Sequence, residues 1–123
     1  MDIFLVEDSD AVRERLAEML GAIPGARVVG DAARADDAIA RILAARPEVV
    51  VLDLNLAEGT SGFDVLRAVC PRAPEVHFYL LSNFSADPYR QLALRLGARG
   101  FFDKSHDLER VRRTLAERAA VKH

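Results

Sequence analysis

The 123-residue chain holds a single cysteine, Cys70, so no disulfide can close within it, and that usage suits a reducing compartment. No apolar stretch reaches the roughly 18 residues a bilayer crossing requires, and residues 3–6 open as an apolar strand rather than a signal sequence. A cytoplasmic protein is expected. The formal charge of −2 provides no large field of one sign to draw the chain to nucleic acid or to a membrane. Internal repeats, low-complexity tracts and linkers are missing, and the length suits one domain over 1–123. Several catalytic signatures are missing too. No glycine-rich phosphate loop precedes a lysine, Gly59-Thr60-Ser61-Gly62 is not a nucleophile elbow, and His77, His106 and His123 lack metal-ligand spacing.

What is present is an ordinary globular balance, 50% hydrophobic and 29% charged. The chain is organised around residues 49–55, Val-Val-Val-Leu-Asp-Leu-Asn, bounded by Pro47 and by the Gly59/Gly62 loop. A short Val-rich run of this kind predicts a strand buried on both faces, the pattern of a central strand in a parallel sheet. Ending it on Asp53 is costly. A buried carboxylate costs roughly several kcal/mol unless it is paired or metal-bound. The carboxyl ends of strands are where open α/β sheets bind ligands, so Asp53 is the first candidate functional residue.

The remaining elements alternate. A strand over 3–6 runs into Glu7-Asp8, and Ser9 or Asp10 caps a helix carrying Val12, Leu16, Met19, Leu20 and Ile23, ended by Pro24-Gly25. A second, edge strand over 27–30 is followed by a helix from about 36 to 45 with Ile39, Ile42 and Leu43 on one face. After the central strand, Phe63, Leu66, Val69 and Cys70 mark a short third helix, the cysteine on its apolar face as a buried structural thiol. Residues 76–81 predict a fourth strand ending on Ser82-Asn83. Asp87-Pro88 predicts an N-cap and first turn for a helix burying Tyr89, Leu92, Ala93 and Leu96. A brief strand over 100–102 leads to Asp103-Lys104, and Ser105 or Asp107 caps a last helix with Leu108, Val111, Leu115 and Ala119. Five strands alternating with five helices predict an α/β, doubly wound, flavodoxin-like five-stranded parallel sheet of order 2-1-3-4-5.

That topology collects Glu7, Asp8, Asp53, Ser82 and Lys104 at one sheet edge. Three carboxylates crowded there repel, at about 4 kcal/mol per pair for ~4 Å separations and an effective dielectric of ~20. Such a cluster calls for a divalent cation, and hard oxygen ligands suit Mg²⁺. Asp53 is then placed to act as a nucleophile on phosphorus, with Lys104 balancing phosphoryl charge and the Ser82 hydroxyl donating to a phosphoryl oxygen. Singly, Glu7-Asp8 would serve as helix-capping acids, Ser82 as a turn residue and Lys104 as a surface lysine. Their joint occurrence at successive strand ends carries the functional reading.

The sequence resembles the receiver domain of two-component response regulators over essentially its full length. The resemblance rests on residues 4–8 (Phe-Leu-Val-Glu-Asp), 50–55 (Val-Val-Leu-Asp-Leu-Asn), 80–82 (Leu-Leu-Ser) and 97–104 (Gly-Ala-Arg-Gly-Phe-Phe-Asp-Lys). It implies that Asp53 accepts a phosphoryl group from a sensor histidine kinase, a phosphotransfer protein or a small acyl phosphate. It implies an Mg²⁺ site from Glu7, Asp8 and Asp53, with the Asn55 backbone carbonyl completing the set. Ser82 and Lys104 would contact the phosphoryl oxygens, and Phe101 would be the switch aromatic. The face formed by the fourth helix, fifth strand and fifth helix would dock a protein target or a second copy. Arg90, Arg95, Arg99, Arg110, Arg112, Arg113 and Arg118 should make that face locally basic, without any nucleic-acid recognition motif.

Four departures from the family pattern stand out. Ser105 follows the lysine where proline and a cis peptide are usual, and without proline a trans bond is expected. Asn83 and Phe84 replace a small residue and its neighbour, narrowing access and lengthening the phosphoryl lifetime. Ala57 stands where a proline is common, in a loop one residue longer than usual. Two other readings compete. A haloacid-dehalogenase-type aspartate-nucleophile phosphatase would need a second aspartate where Asn55 stands, and a degenerate receiver acting only as a binding module would not keep Asp53, Ser82 and Lys104.

Overall fold

The computed structural model describes residues 1–83 and 87–121. The strands are β1 (Asp2–Val6), β2 (Arg27–Ala32), β3 (Val49–Asp53), β4 (His77–Ser82) and β5 (Gly100–Asp103). The helices are α1 (Asp10–Gly21), α2 (Ala35–Ala45), α3 (Gly62–Val69), α4 (Asp87–Arg95) and α5 (Leu108–Val121). The strands form one sheet in the order β2-β1-β3-β4-β5, and every pairing is parallel. β3 is central and buried along its whole length, as its unbroken apolar run requires.

Alternation along the strands divides the interior in two. Phe4, Val6, Val50, Leu52, Phe78, Leu80 and Phe101 face α2, α3 and α4, packing on residues such as Ile42, Leu66 and Ala93. Ile3, Leu5, Val49, Val51, Tyr79, Leu81 and Phe102 face α1 and α5, packing on Leu16, Leu20, Val111 and Leu115. Each fully buried aliphatic side chain contributes about 1.5–3 kcal/mol relative to exposure.

Several boundaries differ from the sequence-based expectation. α1 is capped by Ser9, whose hydroxyl accepts from Val12 N at 3.3 Å, but it ends at Gly21, before Pro24-Gly25. Ile23 is still buried, beyond the helix, because the chain folds inward toward β2. α2, by contrast, ends at Ala45 before Pro47 as expected, with Arg46 in the left-handed region (φ 45°) and its N–H donating to Ile42 O. Asp87 opens α4 rather than capping it, and Tyr89 is 44% exposed instead of buried, leaving Ala93 as the buried residue of that helix. Cys70 is half-buried at the end of α3, and burial pushes its thiol pKa up. Peptide bonds among the described residues are trans, that between Lys104 and Ser105 included.

Candidate functional site

The site is assembled at the carboxyl edge of the sheet, where β1 and β3 lie side by side and their following connections leave toward opposite faces. Glu7 follows β1 directly. Its N–H donates to Ala32 O at 3.0 Å, and its carbonyl accepts from Arg13 Nη1 at 2.9 Å. Its side chain is 1% exposed, whereas Asp8, the next residue, is exposed. Asp53 closes β3 and is buried. One carboxylate oxygen each of Glu7, Asp8 and Asp53 lies within 4.8 Å of the others.

Lys104 enters this cluster from just past β5. Its Nζ donates to Glu7 Oε1 at 2.7 Å and to Asp53 Oδ2 at 3.0 Å, and its backbone N–H donates to Ser82 O at 2.9 Å. One cation therefore bridges two of the three carboxylates, and Glu7 Oε2 remains buried with no hydrogen-bond partner among the described residues. Burial, reinforced by the neighbouring Asp53 carboxylate and opposed by Lys104, raises the Glu7 pKa to about 7. Burial pulls Lys104 down, but hydrogen bonds and charge from Glu7 and Asp53 outweigh it, and its pKa is raised. A buried, unpartnered carboxylate oxygen beside two further carboxylates is the donor set a hard divalent cation takes.

The loop after Asp53 is held by its own hydrogen bonds and by the β2–α2 connection. Asn55 N donates to Asp53 Oδ1 at 3.4 Å, and Asn55 pairs with Ser61 across the loop. Ala57 N donates to Ala33 O at 3.0 Å, and the Thr60 hydroxyl accepts from Ala35 N at 3.1 Å. The short 3-10 turn over Ala57–Gly59 holds Glu58 at φ 59°, and Glu58 pairs with Arg34 at 3.4 Å. These contacts give the loop without proline a defined shape. A Cβ on Gly62 would stand 2.6 Å from Asp53 O, so this position has room for hydrogen only.

Ser82 is fully buried at the end of β4, one residue past Leu81, the β4 partner of Asp53. Phe101 pairs with Leu80 and sits in the interior under α4, 3% exposed, with the Arg90 guanidinium 5.4 Å from its ring centre. Asn83 is exposed, while Phe84 and His123 lie outside the described residues. A largely apolar recess of about 110 Å³ opens beside Lys104, lined by Val12, Arg15, Leu16, Met19 and Leu108 between α1 and α5.

The arginine-rich face is less positive than its sequence suggests. Arg118 turns to Glu48 at 2.9 Å and to the Tyr79 hydroxyl, Arg112 to Glu109, and Arg110 to Asp107 at 3.4 Å. Arg13 was not singled out by sequence reasoning, although its spacing three residues after Asp10 signals their ion pair. Asp103 and Asp107 were not singled out as functional residues either. Their partners are chiefly backbone amides, which leave no mark on residue spacing.

The model of the response regulator receiver domain matches residues 3–116. The DNA-binding transcriptional activator DevR/DosR of Mycobacterium tuberculosis is 38% identical over 102 residues, covering 83% of this chain and 46% of that protein. A protein-glutamate methylesterase/protein-glutamine glutaminase of Alkalilimnicola ehrlichii is 34% identical over 121 residues, covering 93% of this chain and 30% of that protein. The chain thus spans less than half the length of these relatives. The crystal structure of a LuxR-family two-component response regulator from Aurantimonas sp. SI85-9A1 superimposes with a TM-score of 0.88 at 27% identity, covering 97% of this chain and 84% of that one. With that sheet order, that acidic cluster and those relatives, the chain belongs to the response regulator receiver domain family of two-component systems.

Proposed function

We propose that Asp53 is the phosphoacceptor of this receiver, taking a phosphoryl group from the phosphohistidine of a sensor histidine kinase or phosphotransfer protein, or from a small acyl phosphate. The observation that carries the reading is the Lys104 ammonium within hydrogen-bond reach of both Asp53 and Glu7, beside a buried Glu7 oxygen that has no partner among the described residues. An Asp53 carboxylate oxygen forms the new P–O bond as the P–N bond to the donor imidazole breaks. The imidazole nitrogen leaves with the electron pair. Lys104 then releases Asp53 Oδ2 and contacts a phosphoryl oxygen, and the Ser82 hydroxyl donates to another. Glu7, Asp8, Asp53 and the Asn55 carbonyl would hold Mg²⁺, which when bound neutralises the phosphoryl oxygens. Phe101 acts as the switch aromatic beneath α4.

The output is a protein contact on α4, β5 and α5, made with a downstream target or a second copy, and not DNA binding by this chain. DevR/DosR is named as DNA-binding, but the match covers only 46% of it. The domain catalyses its own phosphotransfer and dephosphorylation and turns over no other substrate. Among the described residues no helix is long and apolar enough to cross a membrane, which supports a cytoplasmic location.

The test is incubation with Mg²⁺ and acetyl phosphate, followed by intact mass. Wild type should gain one phosphoryl group, Asp53→Asn none, and generic phosphate esters should not be turned over. Following decay in the same experiment, Asn83→Ala should lose the group faster than wild type. A phosphoryl group retained by Asp53→Asn would defeat the assignment.

A further inference from the structure

We propose that Asp103 and Asp107 are positioning residues for Lys104, closing a hydrogen-bonded box that fixes the lysine's backbone where this chain has Ser105 instead of proline. The inference rests on the role given above to Lys104. From residue 103 to residue 107 every backbone N–H has an acceptor. Asp103 N donates to Asp107 Oδ2 at 3.0 Å, and Lys104 N to Ser82 O at 2.9 Å. Ser105 N and His106 N both donate to Asp103 Oδ1, at 2.8 and 3.2 Å, and Asp107 N donates to Asp103 O at 2.8 Å. The Asp107 carbonyl in turn accepts from Val111 N, so the box continues into α5.

Two features make this more than an ordinary turn. The Ser105 amide is a donor that proline cannot supply, so the residue that departs from the family pattern is itself part of the box. Lys104 sits inside the box with its backbone tied to the end of β4 and its side chain reaching two carboxylates from other strands. A small rotation of the 103–107 backbone would carry Nζ away from both. The Asp107 carboxyl pKa is lowered, first by the Asp103 backbone N–H and further by Arg110, so the acceptor stays ionised through the neutral range.

Phosphorylation of Asp53 by acetyl phosphate in Mg²⁺ should be about tenfold slower in Asp103→Ala, equivalent to about 1.4 kcal/mol in the barrier. Asp103→Asn keeps a side-chain oxygen for the two amides and should stay within about twofold of wild type. In a Lys104→Ala background, Asp103→Ala should add almost nothing, because it acts through the lysine. Asparagine as slow as alanine, or losses that multiply, would overturn the proposal. A second arm is independent of phosphoryl transfer. Urea midpoints of wild type, Asp103→Ala, Lys104→Ala and the double variant should be non-additive, and additive shifts would also overturn it. If wild type takes up no phosphoryl group the role of Asp53 fails, while the urea cycle still decides whether Asp103 positions Lys104.

Discussion

Glu7 carries the sharpest consequence of burial at the residue scale. Its carboxyl is buried, one oxygen is bonded to Lys104, and its pKa is raised from an ordinary 4.5 to about 7, first by desolvation and next by the neighbouring Asp53 carboxylate. Between those two values the folded protein binds a proton that the unfolded chain has released. This group's contribution to stability is therefore present below about 4.5 and lost as pH rises through about 7. The swing is on the order of 3 kcal/mol for metal-free protein. Chemical denaturation across pH 4.5–7.5 should show wild type losing stability with rising pH relative to Glu7→Gln, which has no proton to lose. Asp53 was legible in the sequence because an acid closing an apolar run is a costly choice, and Lys104 only through its joint occurrence with the other strand-end residues. Asp103 and Arg13 were not, and Asp107 was read only as a helix cap, because charged residues at loop and helix ends look solvated until their amide and carbonyl partners are placed.

At the scale of the element, the connection from β3 to α3 is the tightest fit. Gly62 opens α3 and donates to Leu54 O at 2.8 Å, and an added Cβ would meet Asp53 O at 2.6 Å and Leu54 Cα at 3.1 Å. Both obstacles are backbone, so neither can swing aside. Gly62→Ala should cost about 1–3 kcal/mol in urea unfolding. It should also slow uptake of a phosphoryl group from acetyl phosphate, since the displaced segment bears Asp53 itself. Element identity was readable from short apolar runs set against helical spacing of apolar residues, while element ends were less so. The early stop of α1 and the exposure of Tyr89 depend on how neighbouring segments pack, which local pattern does not encode.

Across the whole molecule, the sheet order followed from the alternation of strands and helices together with the fixed hand of parallel crossovers. That arrangement gathers charge from β1, β3 and β5 into one crevice, so the fold is stabilised by whatever neutralises it. Mg²⁺ at one hundred times its dissociation constant should add about 2.7 kcal/mol to stability. Thermal unfolding with and without the ion should show the gain in wild type and a smaller one in Asp8→Asn, whose exposed carboxylate belongs to the cluster.

Phe101 and Phe102 are neighbours in β5, yet one packs on the side of α2, α3 and α4 and the other on the side of α1 and α5. Each ring also lies beneath an arginine, Arg90 at 5.4 Å and Arg110 at 5.5 Å from the ring centres. Lys104 follows two residues later, so the strand that delivers it to the acidic crevice is wedged between both helical layers, an aromatic ring in each.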